Sequence, residues 1–375
     1  MAHRWAGWPA GGTVDWHEGV PQVCSALRDM ALYDGHARAY DALNGFDQIC
    51  TWSDERQCFQ HSGRRAGRPL LGVRQTKFAN LVWSWGLQGK FLTNWSDAQG
   101  WDYRHRLPGL GGIPVIQYCR RAVQRGQVVL MPLPRYYMGP GGPNLPDQPD
   151  PMPFRAKRNR LAWRGSLTGT LSDWDREIWW VDAVFREKAH AQDFARARRV
   201  TRWRAADELR KSPLADVKLT LTDLQRLRMA ASAPLQDLLR GLVGEWQSKE
   251  AARQSKFLLV VDGNDIGSNK YWSLLSNSVV LLVESEWETA LDAGLVAGVH
   301  YVPVQANRQA IETTVEALLA DEARCESIIA AAHELLAPQL RTDWRDAADW
   351  LTLQAYATRV RFVPPLPTTW SFSRG

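Results

Sequence analysis

Long apolar runs are what this chain of 375 residues most plainly lacks. No stretch approaches the ~18 consecutive apolar residues that read as a membrane-spanning helix, and the opening MAHRWAGWPAGGTVDWHEG has no apolar core of the kind an export signal carries. Neither a membrane span nor an export address is therefore expected. Cysteine is scarce too. Cys24, Cys50, Cys58, Cys119 and Cys325 are odd in number, scattered and without a CxxC pair, which argues against a structural zinc site and against a disulfide framework. A reducing compartment, the cytoplasm, is the expected location. No internal repeat or extended low-complexity tract is present. Charge is not strongly one-sided either: 46 Lys and Arg against 40 Asp and Glu leave a net +6. That balance favours anionic partners such as nucleotide-sugars, phosphorylated glycolipids, membrane surfaces or nucleic acid, without choosing among them.

What is abundant is tryptophan, 19 residues spread over the whole chain. Most are expected in cores, with a few left to stack on the apolar face of a sugar ring. The length suits two domains of ordinary size. Residues 1–20 read as a loosely ordered lead-in, Pro21 to Leu43 as a helical stretch, Gly63 to Pro69 as an exposed basic loop and Lys77 to Leu87 as a helix. Phe91 to Asn94 is a short strand running into Trp95-Ser96-Asp97, and Pro114 to Tyr118 and Gln127 to Leu133 are further strands. The segment MGPGGPNLPDQPDPMP, Met138 to Pro153, is too rich in Pro and Gly to continue helix or sheet and marks a boundary or a loop.

Beyond it, strand and helix signals alternate, which argues for a parallel sheet with helices on both faces. Leu161 to Trp163 starts this half and leads into Arg164-Gly165-Ser166. Glycine lets a ligand approach the backbone and arginine supplies donors for phosphate oxygens, although an arginine beside a turn also pairs readily with a neighbouring carboxylate. Asp173-Trp174-Asp175 has the spacing of a metal-binding DxD, but stands just ahead of a helix-compatible stretch, Glu177 to Lys188, where aspartates cap free N–H groups. In the basic run ARARRVTRWR, Arg198 and Arg202 share one helical face with Arg199 nearby, most commonly a solvated face, otherwise a contact for lipid headgroups, a phosphorylated acceptor or nucleic acid. Leu219 to Leu242 reads as core helix interrupted at Pro234.

The stretch that organises the chain is KFLLVVDGNDIGSNKYWSLLSNSVVLLVE, Lys256 to Glu284. Two apolar runs flank a glycine-bearing loop, Asp262 to Asn269, and a short helix, an arrangement that sets N–H groups at a helix start where a phosphate can sit. Val299 to Val304 is another strand, Asn307 caps a helix through Leu319, Asp321 starts one that Pro338 stops, and Thr342 to Thr358 forms the last.

Taken together, VDGN, Ser268 with Lys270 two positions on, SNSVVL, Glu286-Trp287, HYVPV from His300, the Trp-Arg-Gly-Ser at Arg164, Gly165 and Ser166, and Asn94-x-x-Asp97 followed by Pro114-Val115 resemble glycosyltransferase family 90. Lys270 stands where that family usually has arginine, which keeps the charge and loses the bidentate fork. The resemblance implies an α/β, GT-B-like fold of two Rossmann-type domains facing a central cleft. Residues 1–150 would be the acceptor-side domain, 151–340 the nucleotide-sugar domain, and 341–375 a helix and tail crossing back. It also implies an inverting, metal-independent enzyme without a cofactor. A UDP-sugar, with glucose or xylose, is the donor, and a glycan or glycolipid hydroxyl is the acceptor. Asp97 is then the general base, whereas by itself an Asp in Trp-Ser-Asp reads as a turn residue; Asp54, in a second Trp-Ser-Asp, is the runner-up. Donor contacts fall on Arg164, Gly165, Ser166, Asp262, Gly263, Asn264, Gly267, Ser268, Lys270, Glu286 and His300. His300 reads equally well as a hydrogen-bonded residue beside a strand. Expected surroundings are a surface-polysaccharide or lipopolysaccharide pathway and peripheral contact with an anionic membrane. The rivals are a non-catalytic glycan-binding relative and a basic nucleic-acid binder; no recognised module interleaves the basic residues with aromatics, so specific nucleic acid is not expected.

Overall fold

Two units make up the computed structural model, which describes residues 1–8, 13–17, 30–34, 50–61, 69–95, 97, 114–133, 148–173 and 177–363. The first unit combines Met1–Tyr136 with Thr289–Leu291 and Thr342–Gly375, and the second holds Tyr137–Glu288 and Asp292–Arg341.

In the first unit, strands β1 (Met30–Asp34), β2 (Lys90–Asn94), β3 (Val115–Gln117) and β4 (Val128–Leu130) form one sheet in the order β1-β2-β3-β4. β1 runs antiparallel to β2, and β2, β3 and β4 are parallel. The helical reading of Pro21 to Leu43 thus fails at Met30–Asp34, which is a strand whose short apolar run also fits helix spacing; the rest of that stretch lies outside the described residues. Helix α1 (Pro69–Ser84) begins at the proline, whose fixed φ and missing N–H suit a first helical turn. It sets Phe78 against Phe91 and Trp95 in a buried aromatic cluster. Tyr356 of the helix Thr342–Arg359 completes that cluster, donating its hydroxyl to Pro114 O at 2.6 Å and accepting from Leu92 N at 3.2 Å. The opening residues are not a loose lead-in. Val14–His17 pairs in parallel with Val360–Val363, Arg4 bonds Asp349 at 2.6 Å, and fully buried Arg120 donates to the carbonyls of His3, Arg4 and Val128.

The second unit is a five-stranded, wholly parallel sheet of β5 (Arg158–Ser166), β6 (Ala215–Thr220), β7 (Ser255–Val260), β8 (Val279–Val283) and β9 (Val302–Val304), ordered β6-β5-β7-β8-β9. β7 and β8 are buried on both faces, which is why they read as unbroken apolar runs, while edge strand β6 alternates. Connecting helices include α2 (Thr201–Leu209) and the short α3 (Lys270–Leu274). Leu219 to Leu242 is therefore not one helix: its start belongs to β6, and two helices, Asp223–Ala230 and Ala233–Leu239, follow, the second with Pro234 in its first turn. Pro338 lies inside a helix that runs from Glu322 to Leu340. Asn307 caps the helix Arg308–Leu319 by accepting from Ala310 N at 2.8 Å; Asn307→Ala should cost about 1 kcal/mol, read from the urea midpoint.

SNSVVL is explained here as architecture at the amino ends of the strands. Ser278 donates to Ser255 O at 2.8 Å, and Ser276 to Ser273 O at 2.6 Å. Asn277 bonds Asp150 and Met152 where the Pro- and Gly-rich segment enters the unit, and Asp150 is also ion-paired with buried Lys157 at 2.7 Å. Burial holds the Lys157 ammonium below its ordinary range despite that partner. Cys58, Cys119 and Cys325 are free thiols, and among the described residues no helix is long and apolar enough to cross a membrane.

Candidate functional site

Read along the chain, the second unit's strand order is second, first, third, fourth, fifth. In such a sheet the connections leave in opposite directions from the first and third strands, and the crevice outside their carboxyl ends is where ligands bind. Those strands are β5 and β7, so the loops 167–169 and 261–269 flank the crevice.

The two loops are joined. Asn264 Oδ1 accepts from Gly169 N at 2.9 Å, and within the longer loop Gly267 N donates to Asp262 Oδ1 at 2.8 Å and Gly263 N to Asp265 O at 2.9 Å. Asn269 Nδ2 ties the loop's end back to Leu259 O at 2.8 Å. Gly169 has φ +145°, and a Cβ there would sit 2.4 Å from Val200 Cγ1. At Gly263 a Cβ would meet Thr168 Oγ1 at 2.6 Å and Arg202 Cζ at 2.8 Å, so glycine is demanded by close approach of the two loops and the arginine.

Arg202, in the first turn of α2, lies behind both loops with 8% of its surface exposed. Its guanidinium donates to Ser166 O at 3.1 Å and Thr168 Oγ1 at 2.7 Å on one side, and to Val261 O at 3.2 Å and Asp262 O at 3.2 Å on the other. It also rests over the Trp163 ring at 5.8 Å. Burial brings its pKa down to about 10, against the pull of Asp262 and Asp265. The solvated basic face expected for Arg198 and Arg202 is thus split. The helix Ala191–Ala197 ends before Arg198, which pairs with Asp237 at 3.0 Å, and α2 turns Arg202 inward.

Asp262 is pushed above its ordinary range by burial, against the Ser285 hydroxyl, Lys270, the Gly267 N–H and Arg202. Its second oxygen accepts from Ser285, just past the end of β8, so this hydrogen bond draws the chain carrying exposed Glu286 to the loop. Lys270 is placed differently from its expected role. Its ammonium is ion-paired with Asp292 at 2.8 Å, the two side chains 7% and 10% exposed, and Tyr271 donates to the same Asp292 oxygen at 2.9 Å. With only five residues, α3 also carries too little aligned backbone for a strong terminal dipole. Ser166 and Ser268 are exposed at the rim.

Arg164 is committed elsewhere. Its guanidinium bonds Asp216 Oδ1 and Asp216 O, both at 2.8 Å, with Glu245 O at 3.1 Å and Trp163 O at 3.0 Å, which is the neighbouring-carboxylate alternative. Gly165 makes room for the Trp163 ring, which a Cβ would meet at 2.3 Å. His300 closes a local turn, accepting from Val296 N at Nδ1 over 2.9 Å. Asp173 ends a strand, Thr170–Asp173, paired antiparallel with Glu177–Trp180, so the expected helix of Glu177 to Lys188 opens as strand and is helical only as a 3-10 turn at Val181–Phe185; Asp175 lies outside the described residues.

In the first unit, Asp97 follows β2 at the carboxyl end of the parallel strands. Arg74 of α1 donates to its Oδ1 at 3.0 Å and to Trp95 O at 2.5 Å, and Tyr118 OH lies 3.4 Å from the same carboxylate oxygen. The Asp97 side chain is 46% exposed. Asp54 sits in the exposed turn between Cys50–Ser53 and Cys58–His61.

Arg202, Thr168, Gly169, Ser285 and Asp292 were not singled out as donor-site residues by sequence. The one available signal was the Thr168-Gly169 pair that follows Arg-Gly-Ser after a single leucine.

The chain matches the sequence profile of glycosyl transferase family 90 over residues 176–371, just over half its length. It is 28% identical over 158 residues to the O-glucosyltransferase LpsA of Dichelobacter nodosus, a match covering 42% of this chain and 36% of that protein. The chain thus spans about a third of that curated relative. Among solved structures it resembles Anabaena Alr3699/HepE in complex with UDP-glucose, at 10% identity and TM-score 0.38 over 75% of this chain and 77% of that one. It also resembles the sucrose-phosphate synthase of Thermosynechococcus elongatus, at 12% identity and TM-score 0.36 over 65% and 59%. Scores this low say nothing about chemistry.

Proposed function

Because the chain belongs to glycosyl transferase family 90, we propose that it is an inverting transferase moving a sugar from a UDP-sugar to a hydroxyl of a glycan or glycolipid acceptor without a metal ion. The observation that carries the reading is the pair of joined loops at the strand-order reversal of the parallel sheet, where a nucleotide is received in this class of fold. Glucose and xylose are the proposed sugars, and the partial likeness to a protein named as an O-glucosyltransferase favours glucose. The net charge of +6 supports an anionic glycolipid precursor as acceptor, met at a membrane face.

In this reading the diphosphate is gripped by the hydroxyls of Ser166 and Ser268 and by loop amides, while Glu286 and His300 serve the ribose or donor sugar. Arg202 supplies positive charge from beneath, and Lys270 is held by Asp292. Asp97 takes the proton of the acceptor hydroxyl as its oxygen attacks the anomeric carbon. The bond to the diphosphate breaks on the opposite face, and UDP leaves. Among the described residues no group of three or more His, Cys, Asp or Glu is placed to hold a metal ion. Metal independence is part of the proposal and is tested directly: calorimetric titration with UDP and UDP-sugars should show binding that survives a chelator. Binding lost with the chelator removes the metal-free mechanism, and no nucleotide binding removes the reading.

Charge around the loop gives a second test. Arg202 and Lys270 face the carboxyls of Asp262, Asp265 and Asp292, so with all ionised the cations are outnumbered. The Asp262 carboxyl is raised above its ordinary value of 3.8, so on lowering the pH it takes up a proton earlier than an ordinary aspartate does. That removes one negative charge beside the incoming diphosphate. UDP-glucose, whose diphosphate diester does not itself titrate there, should therefore bind more tightly as the pH falls. Asp262→Asn, which still accepts from Gly267 N, should flatten that dependence. An identical pH profile in the variant assigns the effect elsewhere.

A further inference from the structure

We propose that Arg202 is the positioning residue of the nucleotide site, holding the loops after β5 and β7 in one fixed relation; this rests on the reading that those loops receive a nucleoside diphosphate. The guanidinium hydrogen-bonds none of the side chains that sequence motifs mark for the ligand. Instead it collects the carbonyls of Ser166, Val261 and Asp262 and the Thr168 hydroxyl, oxygens from the ends of two adjacent strands and from the turn that follows each. A trans peptide points its N–H opposite its C=O. Drawing the Ser166, Val261 and Asp262 carbonyls onto one cation therefore turns the N–H groups of Leu167, Asp262 and Gly263 away from it. Gly263 lies directly against the guanidinium, so the arginine also sets how deep the Asp-Gly-Asn turn lies.

Charge alone does not do this. Three carbonyls and a hydroxyl arrayed around one group match the planar, five-donor guanidinium, whereas an ammonium is a point charge whose three donors cannot reach both loops in the same plane. Arg202 is also anchored from behind by the Trp163 face, so the loops are referred to the sheet itself. No other described cation bridges them, since Arg164 is bound to Asp216 and Lys270 to Asp292.

Arg202→Lys keeps the charge and tests the geometry. The variant should bind UDP about tenfold more weakly, the size of one lost hydrogen bond to a charged group. It should raise the KM for the donor while leaving the acceptor KM unchanged, and speed amide exchange in 166–169 and 261–267 together. Thr168→Val removes one acceptor, leaves the arginine in place, and should shift the same quantities in the same direction by less; it also serves if Arg202→Lys does not fold. Unchanged UDP affinity and unchanged exchange in either folded variant overturns the proposal, as does exchange that rises in one loop only. If the wild-type protein binds no UDP, the transferase reading fails by itself, and the coupled exchange of the two loops still decides whether Arg202 positions them.

Discussion

Asp97→Asn should lower transfer by about 10²- to 10⁴-fold, the usual contribution of a placed general base, while UDP-sugar affinity and thermal stability stay close to wild type. The expectation follows from what the substitution keeps. Asparagine has the shape of aspartate and its carbonyl oxygen accepts from Arg74 and Tyr118 as Asp97 Oδ1 does, so the strand end keeps its hydrogen bonds. It loses the negative charge and the ability to take a proton. The ion pair with Arg74 is exposed enough that removing it costs little, since such surface pairs contribute roughly 0–1 kcal/mol. The donor loops belong to the other unit, which gives calorimetry an independent control. Release of UDP at the wild-type rate in the presence of acceptor removes Asp97 from the role. A fall in donor affinity equal to the fall in rate would instead make it a binding residue.

Lys270→Ala should destabilise the second unit by about 3–5 kcal/mol, the range for leaving one member of a buried ion pair alone. The ammonium is Asp292's cationic partner, and both groups are nearly out of water. Removing it leaves Asp292 desolvated, with the Tyr271 hydroxyl still donating to it. Urea unfolding reads the loss, and replacing both residues with apolar ones of similar size should recover part of it, because the pair's desolvation cost disappears with the pair. The sequence suggested another outcome, in which the lysine meets the diphosphate and its loss weakens nucleotide binding. The two are separable: reduced UDP affinity at unchanged stability returns Lys270 to the ligand.

Local signals were legible wherever a residue's role depends on its neighbours in the chain. The apolar runs of β7 and β8, the Asn307 cap, the strand before Asp97 and the glycines of the Asp262–Asn269 loop could all be read, because burial on both faces, a free N–H at a helix start and a tight backbone turn each leave a short-range pattern. Spacing misled at Met30–Asp34 and Glu177–Trp180, where short strands carry apolar residues at intervals a helix also shows. Composition misled for the opening residues, where Val14–His17 is a strand paired with Val360–Val363 from the far end of the chain.

The motifs themselves divided on folding. Ser278 ties the amino ends of two strands together, Ser276 and Asn277 bond the short helix and the segment at Asp150 beside them, and Arg164 and Lys270 are spent on Asp216 and Asp292; Asp262, Gly263, Asn264 and Gly267 build the loop at the crevice. A motif records that a residue type is wanted at a position. Whether the reason is a ligand or a neighbour depends on which other charges the fold brings within reach.

By itself, then, the sequence determined an alternating α/β chain of glycosyl transferase family 90, with a turn at Asp262–Asn269 and an acid after a strand at Asp97. These are matters of hydrophobic pattern, backbone freedom and residue order, all of which act over a few positions. Only the tertiary structure decided which cation stands at the loops. Arg202 is 60 residues from Asp262 in the chain, and nothing in its basic run distinguishes it from Arg198 or Arg199. The parallel sheet sets β5 beside β7, and the helix turns one arginine of three into the dry space between them. There, four oxygens without other cationic partners make a guanidinium worth burying.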